Sequence, residues 1–253
     1  MCVGPGYLSG VGSTSVMHGN PRPWGRIWIG LLALSVCAQW CATVPTVRAD
    51  QARENPQDPL PVTAEELMPL EARHGVYLVT EGPIQGSHVP FTFEPHGDRW
   101  VLAKQDVARH ELHRDRQGNL VIDREIDLRE DRQIDYASPV MLVPATVDRA
   151  TSLTGKTRVT VRSLRTPSVT HRGVCVWGLD FVGVSPVETS AVARPVYRLR
   201  ATREIRLPLA QISMTIDFEY VRGTGMVATG VDQVIRALGL FTDRDRWRLE
   251  QVP

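Results

Sequence analysis

Past Gly75 the chain alternates apolar and polar residues with a period of two, the repeat of a half-buried β-strand. Val89, Phe91 and Phe93 alternate with His88, Pro90, Thr92 and Glu94. Gln117-Gly118-Asn119 is a turn signal; after it Leu120, Ile122, Ile126 and Leu128 share one face, opposite Asp123, Glu125 and Asp127. Residues 174–184 are apolar on both faces, which predicts a central strand with Gly178 and Gly183 at bends or close approaches.

The sharpest alternation runs through 196–221. Tyr197, Leu199, Ala201, Ile205 and Leu207 face one way, and Arg198, Arg200, Thr202, Glu204 and Arg206 the other. Ile212, Met214, Ile216, Phe218 and Tyr220 then alternate with Gln211, Ser213, Thr215, Asp217 and Glu219. Pro208 cannot sit inside a central strand, so it marks the reversal. A hairpin turning at Pro208-Leu209 sets Leu199 against Phe218 and Tyr197 against Tyr220 on one face. On the other face the same register sets Arg198 against Glu219 and Arg200 against Asp217. Arg203 breaks the pattern by landing on the apolar face; a bulge or a snorkelling position at the rim accounts for it ahead of a cavity-facing role.

Two helices are predicted. Thr63 caps Ala64-Glu65-Glu66 and starts a short helix running to about Arg73, and Val231, Val234, Ile235 and Leu238 stand at helical spacing in a second, stopped by Gly239. A last short strand holds Trp247 and Leu249.

The N-terminus has a different character. Residues 27–44 are the most apolar stretch, preceded by Arg26 and followed by Val47-Arg48-Ala49. This is the layout of a secretory signal peptide cleaved after Ala49, ahead of an uncleaved anchor or a lipidated Cys37, with Met1 or Met17 as the start. Residues 50–61 are polar and Pro-rich, a flexible leader. Cleavage removes Cys2, Cys37 and Cys41 and leaves Cys175, which can form no internal disulfide and reads as a buried small hydrophobe among Val174, Val176 and Trp177.

Composition narrows the function classes. The whole chain of 253 residues is 42% hydrophobic and 23% charged with a formal net charge of +1, which excludes a mainly disordered chain. Without residues 1–49 the count is 26 Lys+Arg against 28 Asp+Glu, no footprint for a nucleic-acid binder. Lys occurs only at Lys104 and Lys156, which reads as a base-composition bias of the source genome rather than as a site. His110 and His113 stand three apart, on opposite faces of a strand, and read as a polar loop or strand end rather than a metal site. Asp123, Asp127, Asp131 and Asp135 interleave with Arg124, Arg129 and Arg132 as a self-compensated exposed face. No Gly-x-Ser-x-Gly occurs, and Gly223-Thr224-Gly225 reads as a tight turn rather than a phosphate loop.

One resemblance rests on short motifs. Tyr136-Ala137-Ser138-Pro139-Val140-Met141-Leu142-Val143-Pro144 leads into a new strand, with a turn at Leu153-Thr154-Gly155-Lys156 and a strand over 157–163. Phe218-Glu219-Tyr220-Val221-Arg222-Gly223-Thr224-Gly225-Met226-Val227 follows, without the Pro common in such endings. This order resembles exported bacterial β-rich proteins of uncharacterised families, similar to the half-barrel of lipoprotein-localisation carriers. The resemblance implies an envelope carrier of apolar molecules and supplies no catalytic residue.

The expected fold is mainly β: a curved antiparallel sheet or open half-barrel with one or two packed helices. Residues 1–49 are read as signal peptide, 50–74 as leader and short helix, and 75–253 as one β-rich domain. The expected function is non-enzymatic: an exported periplasmic or extracellular envelope protein that binds an apolar small molecule, a lipid or a lipidated partner. Its hollow is assigned to Leu199, Ile212, Met214, Ile216, Phe218 and Tyr220. The alternatives are a structural or interaction protein of the envelope with a filled core, and a hydrolase with dispersed residues. No cofactor, metal or nucleic acid is expected.

Overall fold

The computed structural model describes residues 60–166, 168–186 and 194–252; the expected signal peptide, its expected cleavage site and the expected leader up to residue 59 lie outside the described residues. In chain order the elements are β1 (Val62–Thr63), α1 (Ala64–Leu67), β2 (Arg73–Glu81), β3 (His88–His96), β4 (Arg99–Lys104), β5 (Ala108–Arg114) and β6 (Leu120–Asp127). There follow β7 (Arg132–Val143), β8 (Thr146–Val147), β9 (Ser152–Ser163), β10 (Thr170–Pro186), β11 (Pro195–Arg206), β12 (Ala210–Val221), β13 (Gly225–Ala237) and β14 (Phe241–Gln251). Twelve of these strands, all but β1 and β8, pair antiparallel with their neighbours in chain order, and β14 returns to β2. The sheet is therefore a closed barrel rather than the expected open half-barrel.

The correction has a local cause. The second predicted helix is β13, paired along its length with β12 on one side and β14 on the other. Val231, Val234 and Ile235 are spaced for a helix, but all three are β-branched and suit a pleated surface better. In the strand Thr229, Val231, Gln233 and Ile235 follow one another at every second position, with Thr229 and Gln233 fully enclosed. The extra strand supplies the edge on which β14 closes the barrel, and closure removes the free edges an open sheet would expose.

The hairpin register is as the alternation predicts: Tyr197 pairs with Tyr220, Arg198 with Glu219, Leu199 with Phe218 and Arg200 with Asp217. The turns at 117–119 and 223–225 also form, with Gly118, Gly223 and Gly225 at positive φ. Leu153-Thr154-Gly155-Lys156, by contrast, lies inside β9 rather than in a turn. Gly155 is opposite Trp177 on β10, and a Cβ there would overlap the indole. Glycine in this strand makes room for an aromatic neighbour, a role that resembles a turn signal in sequence. Pro139 likewise lies within β7, which is one strand from Arg132 to Val143.

The first helix forms but spans a single turn. Thr63 accepts a hydrogen bond from the Glu66 backbone while the Glu66 carboxylate accepts one from the Thr63 backbone, a complete capping box. This backbone contact is the main reason the Glu66 carboxyl sits below its ordinary pKa. The chain lies over one end of the barrel, where β1 pairs with β8, Gly223 donates to the Glu66 carbonyl and Arg114 donates to the Met68 carbonyl. Val62, Leu67 and Met68 are buried there.

Outward positions carry charge. Arg200 pairs with Asp217 at 2.7 Å, Arg248 with Glu219 at 2.9 Å, and Arg244 and Arg246 with Asp232 at 2.5 and 2.8 Å. Of the acidic run, Asp135 is held by Arg124 on the outer face, whereas Asp127, paired with Arg132, lines the interior rather than the expected exposed face. No helix among the described residues is long and apolar enough to cross a membrane. The barrel wall itself presents charged pairs where a membrane barrel presents apolar side chains, and a single Arg at mid-bilayer costs about 2–4 kcal/mol.

Candidate functional site in the barrel interior

Inward positions follow the pleat. One rung runs around the wall through consecutive pairings: Gly155, Trp177, Arg203, Met214, Gln233 and Asp245. The rung carries both apolar and charged side chains, so the interior is not a uniform oil drop. Arg203 belongs to it and is 3% exposed, which overturns the expectation of a bulge or a rim position.

Arg203 is held by a buried ion pair with Glu125 of β6, across the barrel. The Tyr136 hydroxyl completes the triangle, donating to Glu125 at 3.1 Å and accepting from Arg203 at 3.3 Å. His110 of β5 stands directly opposite Glu125, with Nδ1 3.7 Å from the carboxylate, so it lines the interior instead of a polar strand end. His113 binds Asp123 at 2.6 Å. Among the described residues no three His, Cys, Asp or Glu side chains converge as a metal site would require.

Burial would raise the Glu125 carboxyl, but the charge of Arg203 and the contact with His110 outweigh it and hold the group well below the carboxylate range. Burial lowers His110 in spite of Glu125, so its imidazole is neutral at pH 7. Cys175 is fully buried, and burial pushes its thiol up to about 11, which fits an inert core residue rather than a nucleophile.

These groups border a partly open cavity of about 90 Å³. Its wall is mainly apolar and includes Met68, Met214 and Met226, three flexible side chains that adapt to different shapes. Of the six residues assigned from sequence, Met214, Ile216, Phe218 and Tyr220 line it; Leu199 and Ile212 are buried in the core outside its wall. Arg132 bonds Asp127 at 2.8 Å and Gln233 at 2.5 Å, and Arg129 bonds Asp245 at 2.5 Å, on the side of the β6–β7 turn.

Sequence reasoning missed Lys104. It closes β4, faces inward and is 3% exposed. Its ammonium stands 5.8 Å from the ring centre of Tyr77 and 5.6 Å from that of Trp247. Among the described residues it has no hydrogen-bond or ion-pair partner. Burial pushes it down to about 8, against the attraction of Glu125. The available signal was alternation: Lys104 lies two residues after Leu102, on the same face.

No family model matches the chain, and no curated protein matches it. Among solved structures it is similar to the crystal structure of the hypothetical lipoprotein YmcC from Escherichia coli K12, at 10% identity and a TM-score of 0.37, over 71% of this chain and 87% of that one. A likeness of this degree carries no argument about ligand or location, and the barrel rests on its own strand pairing.

Proposed function

We propose that this is an exported, non-enzymatic binding protein whose barrel holds a small apolar molecule. The observation that carries the reading is the cavity walled by Ile216, Phe218, Tyr220 and three methionines inside a sheet without free edges. A cavity of about 90 Å³ is smaller than the 150 Å³ or so that admits benzene in an engineered apolar core, so a six-carbon guest enters only as the methionines move. A long acyl chain or a lipidated partner needs a larger displacement of the wall. The buried ion pair tells against hydrolysis: it neutralises Glu125 as a base, and the nearby thiol is inert.

The test is calorimetric titration of the folded barrel with hexan-1-ol and hexanoate, repeated on Met214→Trp. Saturable binding of either probe, weakened at least tenfold by the bulky substitution with the fold unchanged, supports the reading. Absence of binding by both probes leaves a filled core and a structural role.

A further inference from the structure

The interior charge does not balance. Four cations line the cavity, Lys104, Arg129, Arg132 and Arg203, against three carboxylates, Glu125, Asp127 and Asp245. Three pairs account for all but one of them: Arg203 with Glu125, Arg132 with Asp127 and Arg129 with Asp245. His110 is neutral, and the buried Tyr77, Tyr136 and Tyr220 hydroxyls are all pushed above their ordinary value by burial, so none offers a negative charge. A fourth carboxylate, half-buried Glu130, stands among Arg129, Arg132, Asp127 and Asp245 rather than with Lys104; Lys104 is left over, with only the ring faces of Tyr77 and Trp247 near its ammonium.

An isolated buried ammonium costs several kcal/mol, and native interiors avoid one unless something compensates it. The hydrogen-bond inventory points the same way. The Nε atoms of Arg203 and Arg132, the Tyr220 hydroxyl and His110 Nδ1, all in this wall, are also buried without a hydrogen-bond partner among the described residues. Three of these five open groups, counting the Lys104 ammonium, are donors only, and the tyrosine and the imidazole can each donate. A wall rich in unmatched donors and carrying one spare positive charge fits a guest that accepts hydrogen bonds and carries one negative charge.

We propose that the ligand is a compact apolar monocarboxylate, its body against Met214, Ile216 and Phe218 and its carboxylate on Lys104. This rests on the binding reading above and narrows it to a ligand class. Lys104 is then the residue that selects acid over neutral analogue, because a neutral guest leaves the ammonium unpaired.

The same two probes separate the two claims. At pH 7 hexanoate should bind at least tenfold tighter than hexan-1-ol, and Lys104→Met should remove that preference while keeping the alcohol. Equal affinity for both probes in the unmodified protein overturns the carboxylate assignment and leaves the binding reading standing; binding of neither overturns the reading itself. Without ligand, Lys104→Met should melt at a higher temperature than the parent at pH 7, since it removes an uncompensated charge. A lower melting temperature means the ammonium has a structural partner and sinks the proposal. A measurement without mutation completes the test. With only Lys104 and Lys156 in the chain, ¹³C-lysine NMR gives two signals, and Lys156 lies on the outer wall as a reference. Hexanoate should shift the Lys104 titration upward and leave Lys156 in place; an unmoved Lys104 titration at saturating hexanoate overturns it.

Discussion

At the scale of single residues, the interior is governed by which charges are paired. Glu125 is the hinge of the arrangement, because it neutralises Arg203 and binds Tyr136. Replacing one member of a buried pair costs more than the pair itself contributes, since the survivor stays buried and charged. Glu125→Gln is therefore expected to destabilise the barrel by about 3–5 kcal/mol at pH 7, measured by urea unfolding. The sign of the pH dependence follows from a carboxyl held below its unfolded value. Its contribution is complete above the unfolded pKa of about 4.3 and is lost as the pH falls below it, a loss the Gln variant should lack. A variant as stable as the parent would show that Arg203 is satisfied by Tyr136 alone. Arg203 was visible in the sequence as a misfit on an apolar face. Lys104 was read only as one of two lysines in an Arg-rich composition, because its meaning is a sum of charges over strands far apart in the chain.

At the scale of elements, alternation was legible wherever both faces differed in polarity. The β11–β12 register could be read residue by residue because apolar pairs and opposite-charge pairs arise from one alignment. It failed in β13, where Val231, Val234 and Ile235 satisfy both periods and only pairing with β12 and β14 decides. The turn after that strand shows a different tension. Leu238 and Gly239 both have positive φ, 54° and 67°, and Leu240 donates to the Ala237 carbonyl at 3.1 Å. That is the pattern of a type I′ turn, whose first central position favours Asn or Asp. Leucine there is strained and mostly exposed, beside Leu209, whose carbonyl accepts from the Leu238 amide at 2.9 Å. Leu238→Asn is expected to stabilise the protein by about 0.5–1 kcal/mol, read as a higher melting temperature. A lower one would mean the leucine side chain contributes packing that outweighs its backbone cost.

At the scale of the whole molecule, the outer wall and the N-terminal sequence bear on where the protein works. The wall carries paired charges that belong in water, and residues 27–49 have the layout of a cleaved signal. N-terminal sequencing of the protein recovered from outside the cytoplasm should begin at Asp50. A membrane-bound form that keeps Met1 or Met17 would contradict export with cleavage. The β class could be read from the period of two alone, but closure could not, because it depends on how the first barrel strand meets the last. That meeting has a consequence for how the molecule is made. β14 joins β2 only through 248–251 against 77–81, and Thr80 and Glu250, hydrogen-bonded across this seam, are 170 residues apart. Until β14 has left the ribosome, β2 and β13 remain unpaired edges, open to neighbouring chains. The latest segment of the barrel to be synthesised is thus the one that ends its exposure to aggregation, and a nascent chain stalled before Phe241 is more hazardous to the cell than either the finished barrel or a short early fragment.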